Sequence, residues 1–254
     1  MKIDLTGRRA LVTGAGHGIG RAIALRLAEA GADVVVHYAN SAEAAKDTVT
    51  AIEQTGGRAA AIQADCTREA EVEALLADTL DVLGGEIDIL VNNAGHLVER
   101  RAIADMDIAL WQQIIDVNVL STFLVTRAAI PSLSATRGRI VNMGSLAGHN
   151  GGGAGSVAYA TAKAAVHGFT RALAKELAAD GITVIALAPG FIGQTAFHDT
   201  FTPDAARENI VAGIPLQREG TPDDVAGAVL YLVSSLGEYV TGQTLEVNGG
   251  LLMK

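Results

Sequence analysis

Cysteine is almost missing from this chain of 254 residues: Cys66 is the one thiol, so no internal disulfide can form. Stability must then come from a buried apolar core, for which the length is ample. Basic residues are scarce too. Lys and Arg number 19 against 28 Asp and Glu, a formal net charge of -9, whereas a nucleic-acid surface needs clustered basic groups. No unbroken apolar run approaches the roughly 20 residues of a membrane span, and the opening MKIDLTGRR lacks the apolar core of a signal peptide. There is no proline-rich or serine-rich linker, short repeat or low-complexity tract. The six histidines show no metal-ligand spacing. These absences lead to the expectation of a soluble, cytoplasmic protein with one domain over 1–254. Neither nucleic acid, membrane nor catalytic metal is expected as a partner.

Glycine, at 29 residues, is what the chain does have, and it is concentrated early in T-G-A-G-H-G-I-G, residues 13–20. The nucleotide-triphosphate loop requires Gly-Lys-Ser/Thr at its end, but Arg21 and Ala22 follow Gly20. The general dinucleotide fingerprint fails as well, because Gly14, Gly16, Gly18 and Gly20 fall at every second position. What remains is T-G-x-x-x-G-x-G between the apolar run Ala10-Leu11-Val12 and a helical pattern from Ile19 to Ala30. A strand end, a bare turn and a helix N-terminus together let a pyrophosphate reach backbone donors.

Short β-branched runs alternate with longer Ala/Leu-rich stretches, the pattern of a parallel sheet covered on both faces. The patterning predicts strands at 9–12, 33–37, 58–62, 87–91, 138–142, 182–187 and 243–247. Helices are predicted at 18–30, 41–55, 68–83, 107–129, 158–179 and 221–234, with Gly31, Gly56 and Gly181 as left-handed caps. The expected fold is α/β, a doubly wound seven-stranded parallel sheet, whose ligands bind outside the carboxyl ends of the strands. The loops there read T-G-A-G-H-G-I-G, Y-A-N-S, N-N-A-G at 92–95, G-S-L-A-G at 144–148 and P-G-F-I-G at 189–193.

With Tyr159-Ala-Thr-Ala-Lys163 and V-T-G-Q-T-L-E-V-N-G-G at 240–250 added, the whole length resembles the short-chain dehydrogenase/reductase family, including its 3-oxoacyl-reductase-like and sugar or polyol dehydrogenase members. The resemblance implies a Rossmann-type fold, a nicotinamide cofactor and hydride transfer between a carbonyl and an alcohol. It also implies cofactor contacts from Gly14, Gly16, His17, Gly18, Ile19 and Gly20, from Asn92, Ala94 and Gly95, and from Pro189, Gly190 and Ile192.

Tyr159 and Lys163 stand four apart on a predicted helix and share a face. A nearby ammonium lowers an acid's pKa by about 1 to 3 units, so Lys163 is expected to pull the Tyr159 phenol down and ready it for proton transfer in both directions. Ser145, after the fifth strand, can hydrogen-bond the substrate oxygen and stabilise developing charge. A surface Tyr–Lys pair and a turn serine are the bland readings of the isolated motifs; the family context favours catalysis. Asn118, in D-V-N-V, matches the family position that disturbs a helix and supports a water-linked proton path to the lysine, with structural glue as its alternative. By resemblance, Tyr159 and Lys163 also border the cofactor.

An NAD site places a carboxylate at the end of the second strand. Here that end reads His37-Tyr38-Ala39-Asn40-Ser41. Asp33 begins the strand and, at roughly 3.3 Å per residue, lies on the order of 13 Å away. Tyr38, Ala39, Asn40 and Ser41 are thus expected to accept the 2′-phosphate of NADP(H), although no Arg or Lys stands among them. NAD(H) remains the alternative. Asp65 is expected at the adenine, or as a simple helix cap.

The substrate side is less defined. His96 and His149, past strand ends, and Phe197, His198 and Phe201, in a lid within 189–215, are candidate substrate contacts, with loop solvation or packing as their alternatives. The net charge of -9 and Asp180 weigh against an acidic carrier protein, while Arg137, Arg139 and Arg171 leave such docking open. The expected substrate is a small ketone or secondary alcohol (sugar, polyol or oxo acid), with 3-oxoacyl-[acyl-carrier-protein] reduction as the alternative. A catalytically silent dinucleotide sensor would have no use for the Ser145, Tyr159 and Lys163 set. Resemblance and the Ala-rich helices also point to a homotetramer.

Overall fold

Strands built around consecutive apolar residues suit a sheet buried on both faces. In the computed structural model, which describes residues 3–195, 200–201 and 204–253, these runs form β1 (Arg9–Val12), β2 (Asp33–Tyr38), β3 (Ala59–Gln63), β4 (Ile89–Asn92), β5 (Arg139–Met143), β6 (Thr183–Pro189) and β7 (Thr244–Val247). They make one seven-stranded sheet in the order β3-β2-β1-β4-β5-β6-β7, parallel throughout. Side chains alternate between two cores: Ala10, Val12, Val34, Val36, Ile89 and Val91 enter one, while Leu11, Val35 and Leu90 enter the other.

The first core is closed by α1 (Gly18–Glu29), α2 (Ala42–Gln54) and the later helix Pro222–Val233, the second by α3 (Glu69–Leu83), α5 (Ser121–Thr136) and α7 (Val157–Glu176). Between them come α4 (Ile108–Ile115) and the single turn α6 (Ala147–Asn150). Past β6 lies α8 (Asp204–Ala212), and Pro222–Val233 is α9. The expected doubly wound fold is thus present, with Gly31, Gly56 and Gly181 all at positive φ.

Two departures from expectation have local causes. The helix predicted at 107–129 is α4 and α5 joined by a π-helical segment, Asp116–Leu120. There the Asn118 amide Nδ2 donates to Ile114 O at 2.8 Å, occupying a carbonyl of the helical ladder with a side chain. The same helix runs on to Thr136 through Pro131, because burial of Ser132 and Leu133 outweighs one lost backbone bond. Ile108–Thr136 is long and apolar enough to cross a bilayer by length and composition, with 33% of its apolar window buried, and it packs on α3 and α7. Helix α8 lies in a stretch read from sequence only as lid.

The strand order reverses between β1 and β4. β2 and β3 lie to one side of β1, while β4 to β7 lie to the other. The carboxyl ends of β1 and β4 therefore flank the crevice where such sheets bind their ligands.

Candidate active site

The turn after β1 leaves almost no room for side chains of its own. A Cβ on Gly20 would lie 2.3 Å from Gly14 O and 2.5 Å from Asn93 Nδ2, and one on Gly16 would lie 3.2 Å from Ala45 N. Thr13 Oγ1 accepts from the N–H groups of Asn93 (3.0 Å) and Ala94 (2.9 Å). Asn93 Nδ2 in turn donates to Thr13 O and Gly14 O. This clasp ties the turn to the loop after β4. At the N-cap of α1, His17 is exposed and makes no side-chain bond to the helix. The helix thus opens on the crevice with no side-chain cap over its first N–H groups, the arrangement that receives a phosphate. The glycine cradle and this uncapped end fit a dinucleotide.

On the opposite wall, Tyr159 and Lys163 project from one face of α7. The Ser145 hydroxyl accepts from Ala147 N–H at 3.1 Å and is hydrogen-bonded to the Tyr159 phenol. Lys163 is 4% exposed; its Nζ donates to Met143 O at 2.8 Å and lies 5.6 Å from the Tyr159 ring centroid. Burial pushes the phenol up to about 12, against the opposing hydrogen bond from Ser145, and lowers Lys163 to about 8. The expectation that Lys163 would pull the phenol down is corrected here: removal from water dominates, and the ammonium faces a carbonyl. Tyr159 therefore holds its proton at neutral pH, as a donor.

Asn118 is fully buried. Besides Ile114 O, its Nδ2 reaches His96 O at 2.7 Å, while Oδ1 has no hydrogen-bond partner among the described residues. A Cβ on Gly95 would lie 2.6 Å from Asn118 Oδ1 and 2.9 Å from Lys163 Nζ. Glycine there keeps the gap between amide and ammonium open. The four residues expected at the catalytic centre are thus brought together.

At the end of β2, Tyr38 and Ser41 are half-buried, Ala39 and Asn40 exposed. Ser41 is the N-cap of α2 and makes no cap bond. The sequence showed no cation at this point, but α2 supplies one: Lys46, paired with Glu43 at 2.8 Å, lies near enough for its charge to be coupled to Tyr38. Asp65 is not the cap of α3, whose N-cap is Arg68 and has no side-chain cap bond; it closes the turn before that helix. Its Oδ1 accepts from Thr67 N and Oγ1, and Arg68 lies 3.4 Å from Oδ2. Partial burial opposes its charge, but these contacts hold the carboxyl below the usual range. The Asn92 side chain turns inward, to Thr126 and Asn142. The residue clasping the turn is its neighbour Asn93, which sequence reasoning passed over. Pro189 ends β6 and accepts Leu146 N–H at 3.0 Å; Gly190 packs against Asn248, and Ile192 is core.

Among the candidate substrate contacts, the His96 ring meets Phe201 edge-on at 5.7 Å. Burial, then the charge of nearby His17, lowers its pKa. His149 is turned elsewhere, its Nε2 2.9 Å from Glu246 Oε1 and its ring stacked on His167 at 4.3 Å. Phe197 and His198 lie outside the described residues. His167, unnoticed in the sequence, stands four residues beyond Lys163 and accepts the Ser145 N–H at 3.4 Å; its i+4 spacing from the lysine was the available signal. Arg207 of α8 binds Glu219 through two nitrogens, at 2.9 and 2.8 Å.

A family model described as Enoyl-(Acyl carrier protein) reductase matches residues 14–252. A 3-oxoacyl-[acyl-carrier-protein] reductase of Synechocystis sp. is 44% identical over 251 residues, covering 98% of each chain. The 3-oxoacyl-[acyl-carrier-protein] reductase FabG of Staphylococcus aureus is 41% identical over 247 residues, 97% of this chain and 98% of that one. Among solved structures, a putative short-chain alcohol dehydrogenase from Sinorhizobium meliloti superposes with a TM-score of 0.92 at 37% identity, covering 99% of this chain and 98% of the other. A blue fluorescent protein from a metagenomic library, in complex with NADPH, gives 0.90 at 36% identity, covering 98% and 100%.

Proposed function

Because the chain belongs to the short-chain dehydrogenase/reductase family, and is thereby a nicotinamide-dependent oxidoreductase of carbonyl and alcohol groups, we propose that it reduces the 3-carbonyl of a 3-oxoacyl thioester with NADPH. The observation that supports this reading is the Ser145–Tyr159 hydrogen bond, which sets a phenolic proton donor beside a second hydroxyl, as protonation of a carbonyl oxygen requires. The sequence balance favoured a small free ketone; the names carried by relatives at 44% and 41% identity support the acyl-carrier reading instead.

A bound nicotinamide dinucleotide supplies the hydride. The uncapped start of α1 and the turn at 13–20 receive its pyrophosphate. Ser145, whose oxygen accepts from Ala147 N–H and whose hydroxyl is paired with Tyr159, is placed to turn its proton from the phenol to a substrate oxygen held between them. Tyr159 gives its proton to that oxygen as charge develops there, and the Lys163 ammonium, charged below about pH 8, stabilises the phenolate left behind. Asn118 Oδ1 faces the gap beside Lys163 as the acceptor that a water-linked proton return requires.

The missing carboxylate after β2, the free Ser41 cap and Lys46 support NADPH over NADH. For an acidic carrier, the mouth offers Arg100 on the loop after β4. Its guanidinium donates to Ala154 O at 3.1 Å and has no carboxylate partner among the described residues. Arg137 and Arg139, counted earlier as docking candidates, flank the amino end of β5, opposite this chain's own site. The deciding experiment compares kcat/KM for acetoacetyl on acyl carrier protein with that for free ketones and polyols, at low and high salt. A carrier preference that fades with salt is expected; equal or better use of the free ketones overturns this reading in favour of the small-metabolite one.

Assembly as a homotetramer belongs to the same proposal. Two groups stand out among the exposed apolar side chains: Ile108 (78% exposed), Phe123 and Val157 on α4, α5 and α7, and Leu236, Tyr239 and Leu245 around β7. Two such faces suit two kinds of subunit contact. Light scattering giving a monomer mass at micromolar concentration would refute it.

A further inference from the structure

His37, near the end of β2, is 2% exposed and takes no part in the chemistry above. Gly14 N–H donates to its Nδ1 at 3.1 Å, and its Nε2 lies 3.0 Å from Ala64 O. An N–H can only donate and a carbonyl can only accept. The neutral Nε2–H tautomer alone satisfies both partners. The main chain of His37 grips the same turn, since Ala15 N–H donates to its carbonyl at 2.9 Å. Gly14 itself, at φ +61, has no side chain with which to hold its place.

We propose that His37 is the positioning residue of the dinucleotide turn and makes dinucleotide binding acid-sensitive: protonating Nδ1 sets two donors face to face and releases Gly14 from the imidazole. The proposal rests on the dinucleotide-binding reading of residues 13–20. Once Gly14 is freed, the turn that carries the first N–H groups of α1 is no longer held in register with β2.

The surroundings of the ring place this event on the acid side of neutrality. Burial lowers the imidazole below the ordinary histidine range, with the Ala64 carbonyl and then the Asp65 charge opposing. Cys66 Sγ lies 3.3 Å from Nε2 but stays a neutral thiol, its pKa pushed up to about 12 by burial, then by Asp65 and Glu71. On the turn the titratable side chain is His17, exposed and electrostatically coupled to His96. On α2, Lys46 and Glu43 pair with each other.

The test is NADPH binding by calorimetry from about pH 8 to about pH 5, in the parent and in His37→Asn, which keeps a side-chain acceptor but does not titrate. The parent's Kd is expected to rise, approaching about tenfold per pH unit below the imidazole pKa. The variant should lack that component. Titration of the 2′-phosphate, near about pH 6 by analogy with phosphorylated side chains, is common to both proteins and drops out of the comparison. Parallel curves overturn the proposal alone, whereas a parent that binds neither NADPH nor NADH at the higher pH overturns the dinucleotide reading with it. In case the substitution prevents folding, nitrogen NMR of the parent with labelled histidine gives an independent answer. An Nε2–H imidazole that loses its Gly14 bond on acidification is expected, and an Nδ1–H form at neutral pH refutes it.

Discussion

The two walls of the crevice are built from different materials. On the β1–β2 side main chain packs close on main chain, Gly14 beside Ala94, Gly16 beside Ala45, Gly20 beside Gly14 O, with the side chains of Thr13, Asn93 and His37 tying the turn down. On the β5–β6 side the groups are side chains brought from afar, Ser145 after β5, Tyr159 and Lys163 on α7, and Asn118 in the π segment. A backbone site is set by local geometry and tolerates almost no added atoms. A side-chain site depends on packing between elements, and the reacting group of one member can be removed while the backbone that carries it stays in place. Substitution on the two walls should therefore fail in opposite ways, one by losing the ligand, the other by losing the chemistry.

The largest effect expected is from Tyr159→Phe. It should lower kcat by about 10²–10⁴-fold, the range for a lost general acid, while calorimetry finds NADPH affinity nearly unchanged. Activity within about tenfold of the parent would break the side-chain half of the comparison. On the other wall, Gly20→Ala places a methyl 2.3 Å from Gly14 O, and overpacking of this kind costs about 1–3 kcal/mol. Dinucleotide binding should weaken along with the denaturation midpoint. Gly18→Ala is the control: the nearest atom to its Cβ is Thr195 Cγ2 at 3.7 Å, so its cost is the left-handed backbone alone, about 1–2 kcal/mol. If both alanines behave alike, steric closure of the turn is not what Gly20 provides.

The same contrast explains what could be read from the sequence. Glycine spacing, strand runs and the Tyr159–Lys163 interval are local patterns, and they yielded the sheet, the turn and the helix face. The contribution of Lys46 was hidden because it comes from the interior of α2 to meet β2. His37 was hidden because an imidazole inside an apolar strand reads as core until Gly14 N–H is seen to donate to it. Asn92 and Asn93 are adjacent in sequence, and only the pleat of the chain decides which faces the core and which clasps Thr13. The direction of the Tyr159 shift was missed for a related reason: spacing reveals a nearby ammonium, but the burial that outweighs it is a property of the assembled fold.

A smaller effect, of a few kcal/mol, is expected in stability. Lys163 is lowered from 10.5 to about 8 by burial, so between those values the unfolded chain holds the proton that the folded chain has lost. Its contribution to stability must rise with pH from about 8 to 10.5. Tyr159, raised from 10.0 to about 12, acts in the other sense, and its contribution is lost as pH climbs through that window. At neutral pH the fold keeps a charged lysine against its own interest, by roughly 3 kcal/mol from the size of the shift. Removing the ammonium in Lys163→Met recovers this but leaves Met143 O unpaired, at about 1–3 kcal/mol. Urea denaturation should find the variant at least as stable as the parent yet inactive, and a clear loss of stability would show that Met143 O matters more than the buried charge.

The smallest effects concern cofactor choice, where a backbone pocket meets a few polar side chains. Tyr38→Asp places a carboxylate where it accepts from ribose hydroxyls and repels a 2′-phosphate. Preference in kcat/KM should shift toward NADH by about tenfold or more, the scale of one charge-assisted hydrogen bond. Lys46 acts at longer range. It is exposed and already paired with Glu43 at 2.8 Å, and a solvated ion of this kind contributes little. Lys46→Ala should accordingly weaken NADPH binding by no more than about fivefold, leave NADH binding unchanged, and lose its effect in high salt as screening takes over. Equal weakening toward both dinucleotides would mean that Lys46 supports the fold of α2 rather than the 2′-phosphate, leaving Ser41 and the absence of a carboxylate to account for the preference.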